Sequence, residues 1–169
     1  MYKISQKKNI IEEIRKNGYC IIKRIYSKKE INEIKFNLLE ILHYIHPKKI
    51  KDLKKKYFQV KNFNEKLKGN FFDLLSHEIS TLNILHRNEL VDIIKNYFKT
   101  KVVFSGRPAI HIHDSNNERF LEPHQELNQF ARDFLFIWAP LFNANSQKGS
   151  IVVYEKSHLD GYFKHNSDN

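Results

Sequence analysis

The chain has 169 residues, with 29 lysines and arginines against 19 acidic residues and a formal net charge of +10. This length suits one domain with a buried core, and 13 phenylalanines and 8 tyrosines exclude global disorder. The single cysteine, Cys20, excludes an intramolecular disulfide framework and a cysteine-only zinc site. Neither a signal-peptide pattern nor an apolar run of membrane-spanning length is present, which predicts a cytoplasmic protein without a membrane partner.

The first part of the chain predicts helices around one strand. Isoleucines at helical spacing predict a helix over residues 4–16, with a stop at Asn17-Gly18. The β-branched and aromatic run over residues 18–26 predicts a strand. Ser27 and Glu30 form a capping-box pattern, which predicts the start of a long amphipathic helix that ends near Pro47.

The middle of the chain is also predicted to be helical. Residues 47–70 are basic and weakly patterned, and we expect a loop with one short helix there. Apolar residues at helical spacing then predict a helix over residues 71–85. A further helix is expected after a cap at Asn88.

From residue 101 the pattern changes to that of strands. Residues 101–113 are typical of extended chain, with a bend at Gly106 and Pro108. Two more strands are predicted over residues 134–141 and 150–154. Helices followed by strands indicate an α+β fold, with helices packed outside a β-sandwich or barrel.

The excess positive charge lies almost entirely before residue 70, above all in the Lys-rich segment 48–56. Isoleucine and asparagine are abundant alongside lysine, a composition typical of an AT-rich genome, so we interpret these lysines mainly as a solvated face. Because no zinc-finger spacing, Gly-rich phosphate loop or RNA-binding aromatic signature accompanies them, a nucleic-acid partner is the less favoured interpretation. Contact with an anionic substrate, such as a nucleotide, acyl carrier or phosphorylated sugar, is the alternative use.

Candidate chemistry begins with the five histidines that follow residue 105. His124 and Glu126 lie two residues apart, so on extended chain they point to the same face and can converge on one cation. They would supply two of the three ligands in the two-histidine, one-carboxylate triad that binds Fe(II). His111 and His113 form a second pair, interpreted as strand-edge residues, although a zinc site that joins them to His124 is conceivable.

Four blocks after residue 120 give the His124 motif a context. They are His124-Gln125-Glu126, Trp138-Ala139-Pro140-Leu141, Lys148–Val153, and Lys156-Ser157-His158 with Gly161. Their order and spacing resemble the phytanoyl-CoA dioxygenase family of Fe(II)/2-oxoglutarate-dependent oxygenases. The chain also opens as such chains do, with a helix, the Asn17–Lys23 segment and a long serine-capped helix.

The resemblance implies a double-stranded β-helix, or jelly roll, within a single domain over residues 1–169. Residues 1–100 would be mainly helical support, 101–163 the strands with the metal motif and 164–169 a polar tail. It further implies Fe(II) as cofactor and 2-oxoglutarate as cosubstrate, with O₂ used to hydroxylate a small organic substrate. These are expectations from the resemblance, not results of the residue pattern.

The same resemblance implies roles for individual residues. His124 and Glu126 would be iron ligands, and Trp138 would pack near 2-oxoglutarate. Gln125 would flank the site. His158 would lie at the rim of the site.

Two features depart from the family pattern. Glu126 stands where the family usually has aspartate, and the third ligand, a histidine, and the arginine that clamps 2-oxoglutarate usually follow beyond the Ser-His block. After that block the chain has only His165, and neither it nor His158 is assigned as the third ligand. Arg107 or Lys101 could contact a carboxylate instead. We therefore expect a jelly roll that is incomplete at its C-terminus, the N-terminal part of a longer oxygenase, with uncovered strands through which copies could associate.

Two alternatives stay open from the sequence. The first is a catalytically inactive binding protein of the same fold whose metal site has decayed. The second is a basic, helical nucleic-acid-binding module, which would bind with a steep dependence on salt.

Overall fold

The computed structural model describes residues 1–64, 66–102, 108, 123–125, 134–145 and 150–161. The described residues fall into two compact units. Unit 1 takes its described residues from Met1–Tyr2, Gln6–Ile22 and Ile112–Asn169, and unit 2 from Lys3–Ser5 and Lys23–His111. The organisation of residues 1–169 as one domain stays a prediction.

The described residues form six α-helices and one 3₁₀ turn. The helices are α1 (Lys7–Asn17), α2 (Lys28–Ile45), α3 (Leu53–Phe63), α4 (Lys66–Leu75), α5 (Ile79–Leu85) and α6 (Asn88–Phe98), and the 3₁₀ turn is Ser157–Leu159. Helix α1 belongs to unit 1, and helices α2 to α6 belong to unit 2. None of the helices in the described ranges is long and apolar enough to cross a membrane.

The predicted jelly roll is wrong, because the part of the chain that the structure describes contains no β-strand. Its residues 18–26 make only a single parallel bridge, between Tyr2 and Ile22. Residues 134–140 and 150–154 have β-branched and aromatic side chains but no ladder, and Val152 is 79% exposed. Such a composition suits a half-buried pleated surface, whereas a strand also needs a neighbouring strand that local sequence does not specify.

Helix α2 organises the core of unit 2. Ser27 and Glu30 form the predicted capping box, since Glu30 N donates to Ser27 Oγ at 3.2 Å and Ser27 N donates to Glu30 Oε2 at 2.6 Å. The helix packs against α3, α4 and α5, and its side chains at steps of four are almost fully buried. The buried apolar residues of unit 2 are Tyr26, Ile34, Leu38, Leu42, Tyr57, Val60, Phe71, Leu75, Leu90 and Ile93.

The helix predicted over residues 71–85 is instead two helices. Helix α4 ends at Leu75, and α5 begins at Ile79 after the N-cap residue Glu78. The Glu78 carboxylate accepts hydrogen bonds from Ser80 N at 3.0 Å, Thr81 N at 2.7 Å and Asn37 Nδ2 at 3.0 Å. This carboxylate satisfies the free amides that begin a helix, which explains why the chain restarts there.

The basic region before residue 70 is more helical than expected, because α3 has 11 residues and α4 already begins at Lys66. Asp52 caps α3 by accepting a hydrogen bond from Lys55 N at 2.8 Å. Asn88, predicted as a cap, is the first residue of α6, and Arg87 is the N-cap residue. The Arg87 side chain instead donates to the carbonyl oxygen of Ile25, a contact that joins α6 to the segment before α2.

Glu78 gives unit 2 a testable response to acid. Burial raises the pKa of Glu78, but the hydrogen bonds from Thr81 and Ser80 outweigh burial and leave the pKa below its ordinary value of 4.5. A carboxylate with a lowered pKa stabilises the fold above pH 4.5, and this contribution is lost as the pH falls through the folded-state pKa. We expect Glu78→Gln to lower the free energy of unfolding by about 1 kcal/mol at pH 7.

The difference between wild type and Glu78→Gln should shrink as the pH falls through the folded-state pKa of Glu78, because protonation removes the carboxylate that binds the helix amides. Urea unfolding followed by circular dichroism at pH 7, 5 and 3 measures this. Glu33→Gln, which replaces an exposed carboxylate that caps no helix, is the control. A Glu78→Gln difference that stays constant from pH 7 to pH 3 would contradict the expected role of Glu78.

Candidate functional site

The predicted metal motif is described at its first two residues, and Gln125 fixes its surroundings. His124 is exposed, whereas Gln125 is half-buried. The Gln125 side chain donates a hydrogen bond from Nε2 to the Gly161 carbonyl oxygen at 2.9 Å. Gln125 therefore lies against the loop that carries the Ser-His block, although 36 residues separate the two partners in sequence.

The loop over residues 156–161, which we call the Ser-His loop, has a defined backbone. It contains the 3₁₀ turn Ser157–Leu159 between two residues of positive φ, Lys156 at 67° and Gly161 at 81°. Asp160 N donates to the Ser157 carbonyl oxygen at 3.2 Å, and this bond closes the turn. A residue other than glycine rarely adopts positive φ, so Lys156 indicates that surrounding contacts hold the loop in shape.

Those contacts come from the C-terminal end of α1. Lys156 N donates to the Asn17 carbonyl oxygen at 2.9 Å, and the His158 Nε2 atom lies 2.9 Å from the Arg15 carbonyl oxygen. The last carbonyl groups of a helix lack partners within the helix, so the Ser-His loop acts as a cap for α1. Since a carbonyl oxygen only accepts, His158 Nε2 carries the proton in this contact.

Gly18 makes this docking sterically feasible. It terminates α1 in the left-handed conformation, with φ of 83° and its N–H bonded to the Ile14 carbonyl oxygen at 2.8 Å. A Cβ atom at Gly18 would lie 2.5 Å from His158 Nδ1, which is closer than van der Waals contact permits. Glycine is thus required at this position both by its backbone conformation and by the histidine ring beside it.

Tyr2, next to the N-terminus, forms hydrogen bonds within unit 1. Tyr2 donates from its hydroxyl group to Glu13 Oε2 at 3.0 Å, and Tyr2 N donates to the Ile21 carbonyl oxygen at 2.9 Å. Asn17 Nδ2 also donates to Glu13 Oε1 at 3.0 Å. Cys20 is half-buried, and burial raises the pKa of its thiol, so this cysteine is not activated as a nucleophile.

Several other predicted site residues fall outside the described residues. They are Glu126, Arg107, His165, His111 and His113.

Two further predicted site residues, Trp138 and Lys101, are described. Trp138 is 40% exposed on the segment over residues 134–140, and Lys101 is exposed. The predicted 2-oxoglutarate contacts of Trp138, Gln125 and Arg107 stay predictions.

The described residues alone do not complete a metal site. No group of three or more histidine, cysteine, aspartate or glutamate side chains in the described ranges could hold a metal ion. His158 directs one ring nitrogen at the Arg15 carbonyl oxygen and has the other against Gly18, which is the environment of a structural histidine. The assignment of His124 and Glu126 as iron ligands stays a prediction.

Little in the sequence distinguishes Lys56 from the neighbouring lysines. Unlike its neighbours in the Lys-rich segment, this lysine is fully buried. Its ammonium group donates to the carbonyl oxygens of His46 at 2.5 Å and Lys48 at 2.6 Å, and to Gln59 Oε1 at 3.2 Å. Burial lowers the pKa of Lys56, and the positive charge of Lys48 lowers it further. The one hint in the sequence is that Lys56 is the fourth residue of a helix capped by Asp52, a position from which its side chain can point into the core.

A surface depression lies in unit 2, at the N-terminal part of α2 and the C-terminal end of α5. It is open and polar, with a volume of about 340 Å³. Its lining residues are Glu30, Glu33, Ser80, Asn83, Ile84 and Arg87. None of the predicted site residues belongs to it, and Arg87 and Glu30 are already engaged in structural contacts.

Comparison with known proteins gives no relative. No protein-family model matches the sequence, and no curated protein or solved structure shows significant similarity to it.

Proposed function

We propose that this chain is a relative of the Fe(II)/2-oxoglutarate-dependent dioxygenases of the phytanoyl-CoA dioxygenase family and hydroxylates a small organic substrate. The proposal begins from the order and spacing of the four sequence blocks between His124 and Gly161. Iron, 2-oxoglutarate and O₂ supply the oxidising chemistry when bound. His124 and Glu126 are the residues proposed to hold the metal.

One structural observation supports the proposal. The hydrogen bond from Gln125 to the Gly161 carbonyl oxygen joins the middle residue of the first block to the last residue of the Ser-His block. The glycine-containing end of α1 joins the same group through His158 and Lys156.

The described residues suit particular tasks around such a site. Gln125 is bonded through its side-chain amide, and this contact restricts the backbone on which His124 is carried. His124 is exposed to solvent. His158 holds the Ser-His loop on α1 through its contact with the Arg15 carbonyl oxygen.

Metal binding tests the proposal directly. We expect one Fe(II) per chain in an anaerobic titration with 2-oxoglutarate, with a visible charge-transfer band from the metal–cosubstrate complex. His124→Ala and Glu126→Ala should each remove the band, because a site that loses one of its protein ligands binds metal far more weakly. His77→Ala, which removes another exposed histidine, is the control and should keep the band.

His158→Ala distinguishes a ligand from a structural residue. This variant should lower thermal stability but retain the charge-transfer band. A wild-type chain that binds no metal, or a His124→Ala variant that binds it as well as wild type, would overturn the proposed function.

A further inference from the structure

The loop between α2 and α3 and the first turn of α3 form a strongly basic surface in unit 2. From residue 44 to residue 61 the sequence has seven lysines and one acidic residue, Asp52. The Asp52 carboxylate is engaged by Lys55 N at the start of α3. It therefore serves the helix as a cap while the surrounding charge is overwhelmingly positive.

The backbone of this loop is held in place from inside. Lys56 bonds through its ammonium group to the His46 and Lys48 carbonyl oxygens, at the beginning of the loop. The His43 ring, in the last turn of α2, lies with Nε2 3.1 Å from Ile50 O and 3.3 Å from Ile50 N. The buried lysine and the histidine thus fix both halves of the loop, which pre-organises the side chains it presents.

Other lysines of the loop and of the first turn of α3 point outward. Lys48, Lys49, Lys51 and Lys55 are exposed. None of them takes part in an ion pair with another residue in the described ranges. Their charges are therefore available to an external anion, which they can contact as strongly hydrated point charges on flexible side chains.

Two exposed aromatic rings flank the basic loop. Tyr44, in the last turn of α2, is 83% exposed, and Phe63, at the end of α3, is 68% exposed. The Phe63 ring lies beside the ring of His46, with centroids 4.8 Å apart, so it is adjacent to the first residue of the loop. Exposed rings next to lysines suit an anion that also carries flat aromatic groups, because phosphates bind the ammonium groups and bases stack on the rings.

We propose that this surface, which we call the Lys48–Lys55 surface, binds single-stranded nucleic acid. Lysines spread along a loop and a helical turn fit an extended chain of phosphates better than one small phosphorylated ligand. The binding would be independent of base sequence, since lysine and stacked rings read the backbone and the π-face of any base. The Lys48–Lys55 surface lies in unit 2 and is independent of the function proposed for unit 1.

Fluorescence anisotropy with a labelled 12-nucleotide uridine RNA tests this inference. Wild type should bind with an affinity that falls linearly on a logarithmic plot against salt concentration. Replacing Lys49, Lys51 and Lys55 together with glutamine should weaken binding about tenfold at low salt, and should reduce the magnitude of the salt slope by about 2, since each phosphate contact contributes about 0.7. The matched control replaces three other exposed lysines of unit 2 with glutamine, which changes the net charge by the same amount. These lysines are Lys23, Lys28 and Lys29.

Tyr44→Ala separates stacking from charge. It should weaken binding about fivefold without changing the salt slope, and should leave the weaker binding of a paired duplex unaffected. Circular dichroism should show folded protein in every variant, since all the substituted residues are exposed.

Three results would overturn the inference. The first is an equal loss of RNA affinity in the loop and control triple variants, which would indicate that RNA binding depends on the net charge of the protein and not on this surface. The second is undiminished RNA binding in the loop variant. The third is loop-dependent binding to vesicles of phosphatidylserine and phosphatidylcholine without RNA binding, which would indicate an anionic membrane surface instead.

Discussion

Replacing Lys56 with methionine is expected to lower the free energy of unfolding of unit 2 by about 2–3 kcal/mol at pH 7, since a hydrogen bond to a charged group contributes about 1.5–3 kcal/mol. Methionine matches the length of the lysine stem and fills the same space. It removes the ammonium group that binds the His46 and Lys48 carbonyl oxygens. The relief of burying a charge offsets part of the loss, because Lys56 is fully buried.

Lys55→Met is the matched control for this substitution. Lys55 is adjacent in sequence, lies on the same helix and is exposed, so its replacement should change the free energy of unfolding by less than about 0.5 kcal/mol. Lys56→Gln keeps an amide donor and should fall between methionine and wild type. Urea denaturation followed by circular dichroism measures all three variants, and a Lys56→Met variant as stable as Lys55→Met would contradict the role assigned to Lys56.

The same lysine predicts the direction of a pH effect. The folded-state pKa of Lys56 lies below the ordinary value of 10.5, so between these two pKa values the unfolded chain binds more protons than the folded chain. Stability from this group therefore rises as the pH rises through that window. Wild type should gain stability relative to Lys56→Met as the pH rises towards 10.5, and an opposite trend would contradict the lowered pKa.

Gly18→Ala is expected to destabilise unit 1 by about 2 kcal/mol, since alanine at positive φ costs about 1–2 kcal/mol and displacing the His158 ring costs a further hydrogen bond of about 1 kcal/mol. The φ of Gly18 is 83°, and an added Cβ would lie 2.5 Å from His158 Nδ1. His158 would have to leave the Arg15 carbonyl oxygen to relieve the contact.

A double-mutant cycle separates the two causes. With His158→Ala in the background, Gly18→Ala should cost only the backbone term of about 1 kcal/mol, which leaves a coupling energy of about 1 kcal/mol between the two residues. Gly161→Ala, at φ of 81° with no atom near its Cβ, reports the backbone term by itself. Gly69→Ala, inside α4 with open space around it, should instead stabilise the chain by about 0.5–1 kcal/mol. Thermal unfolding of the single and double variants measures the coupling energy. A coupling energy of zero would contradict the docking of the Ser-His loop on α1.

Local chemistry explains which elements the sequence predicted correctly. Helix α2 was predicted because its signals lie within a few residues of one another: the reciprocal bonds of Ser27 and Glu30, then apolar residues at steps of three and four. The stop of α1 at Gly18 is equally local. Both features depend on groups within two helical turns of each other. Over so short a stretch, residues that are close in sequence are also close in space.

Tertiary contacts explain what could not be predicted. Lys56 resembles its neighbours in sequence, and only the packing of α3 on the C-terminal end of α2 makes it a buried donor. His158 and the Arg15 carbonyl oxygen are 143 residues apart, so no local pattern could relate them. The jelly roll was wrong because apolar runs such as residues 150–154 report side-chain character, whereas strand pairing is a nonlocal property.

The sequence also located the candidate site only in part. The order of four blocks suggested that His124 and His158 belong to one site, and the described residues join them indirectly, through Gln125 and Gly161. They also give His158 a structural contact with α1 that sequence could not reveal. The proposed ligand Glu126 lies outside the described residues, so its role depends on experiment.

Succinate formation from 2-oxoglutarate tests the proposed dioxygenase function most directly. Purified protein with Fe(II), 2-oxoglutarate and O₂ should produce succinate slowly even without the substrate, faster than Fe(II) in buffer, and anaerobic conditions should abolish this production. His124→Ala should reduce it to the level of Fe(II) alone, and His77→Ala should leave it unchanged. Succinate at the level of Fe(II) in buffer for wild type, or at the wild-type level for His124→Ala, would contradict the proposed function.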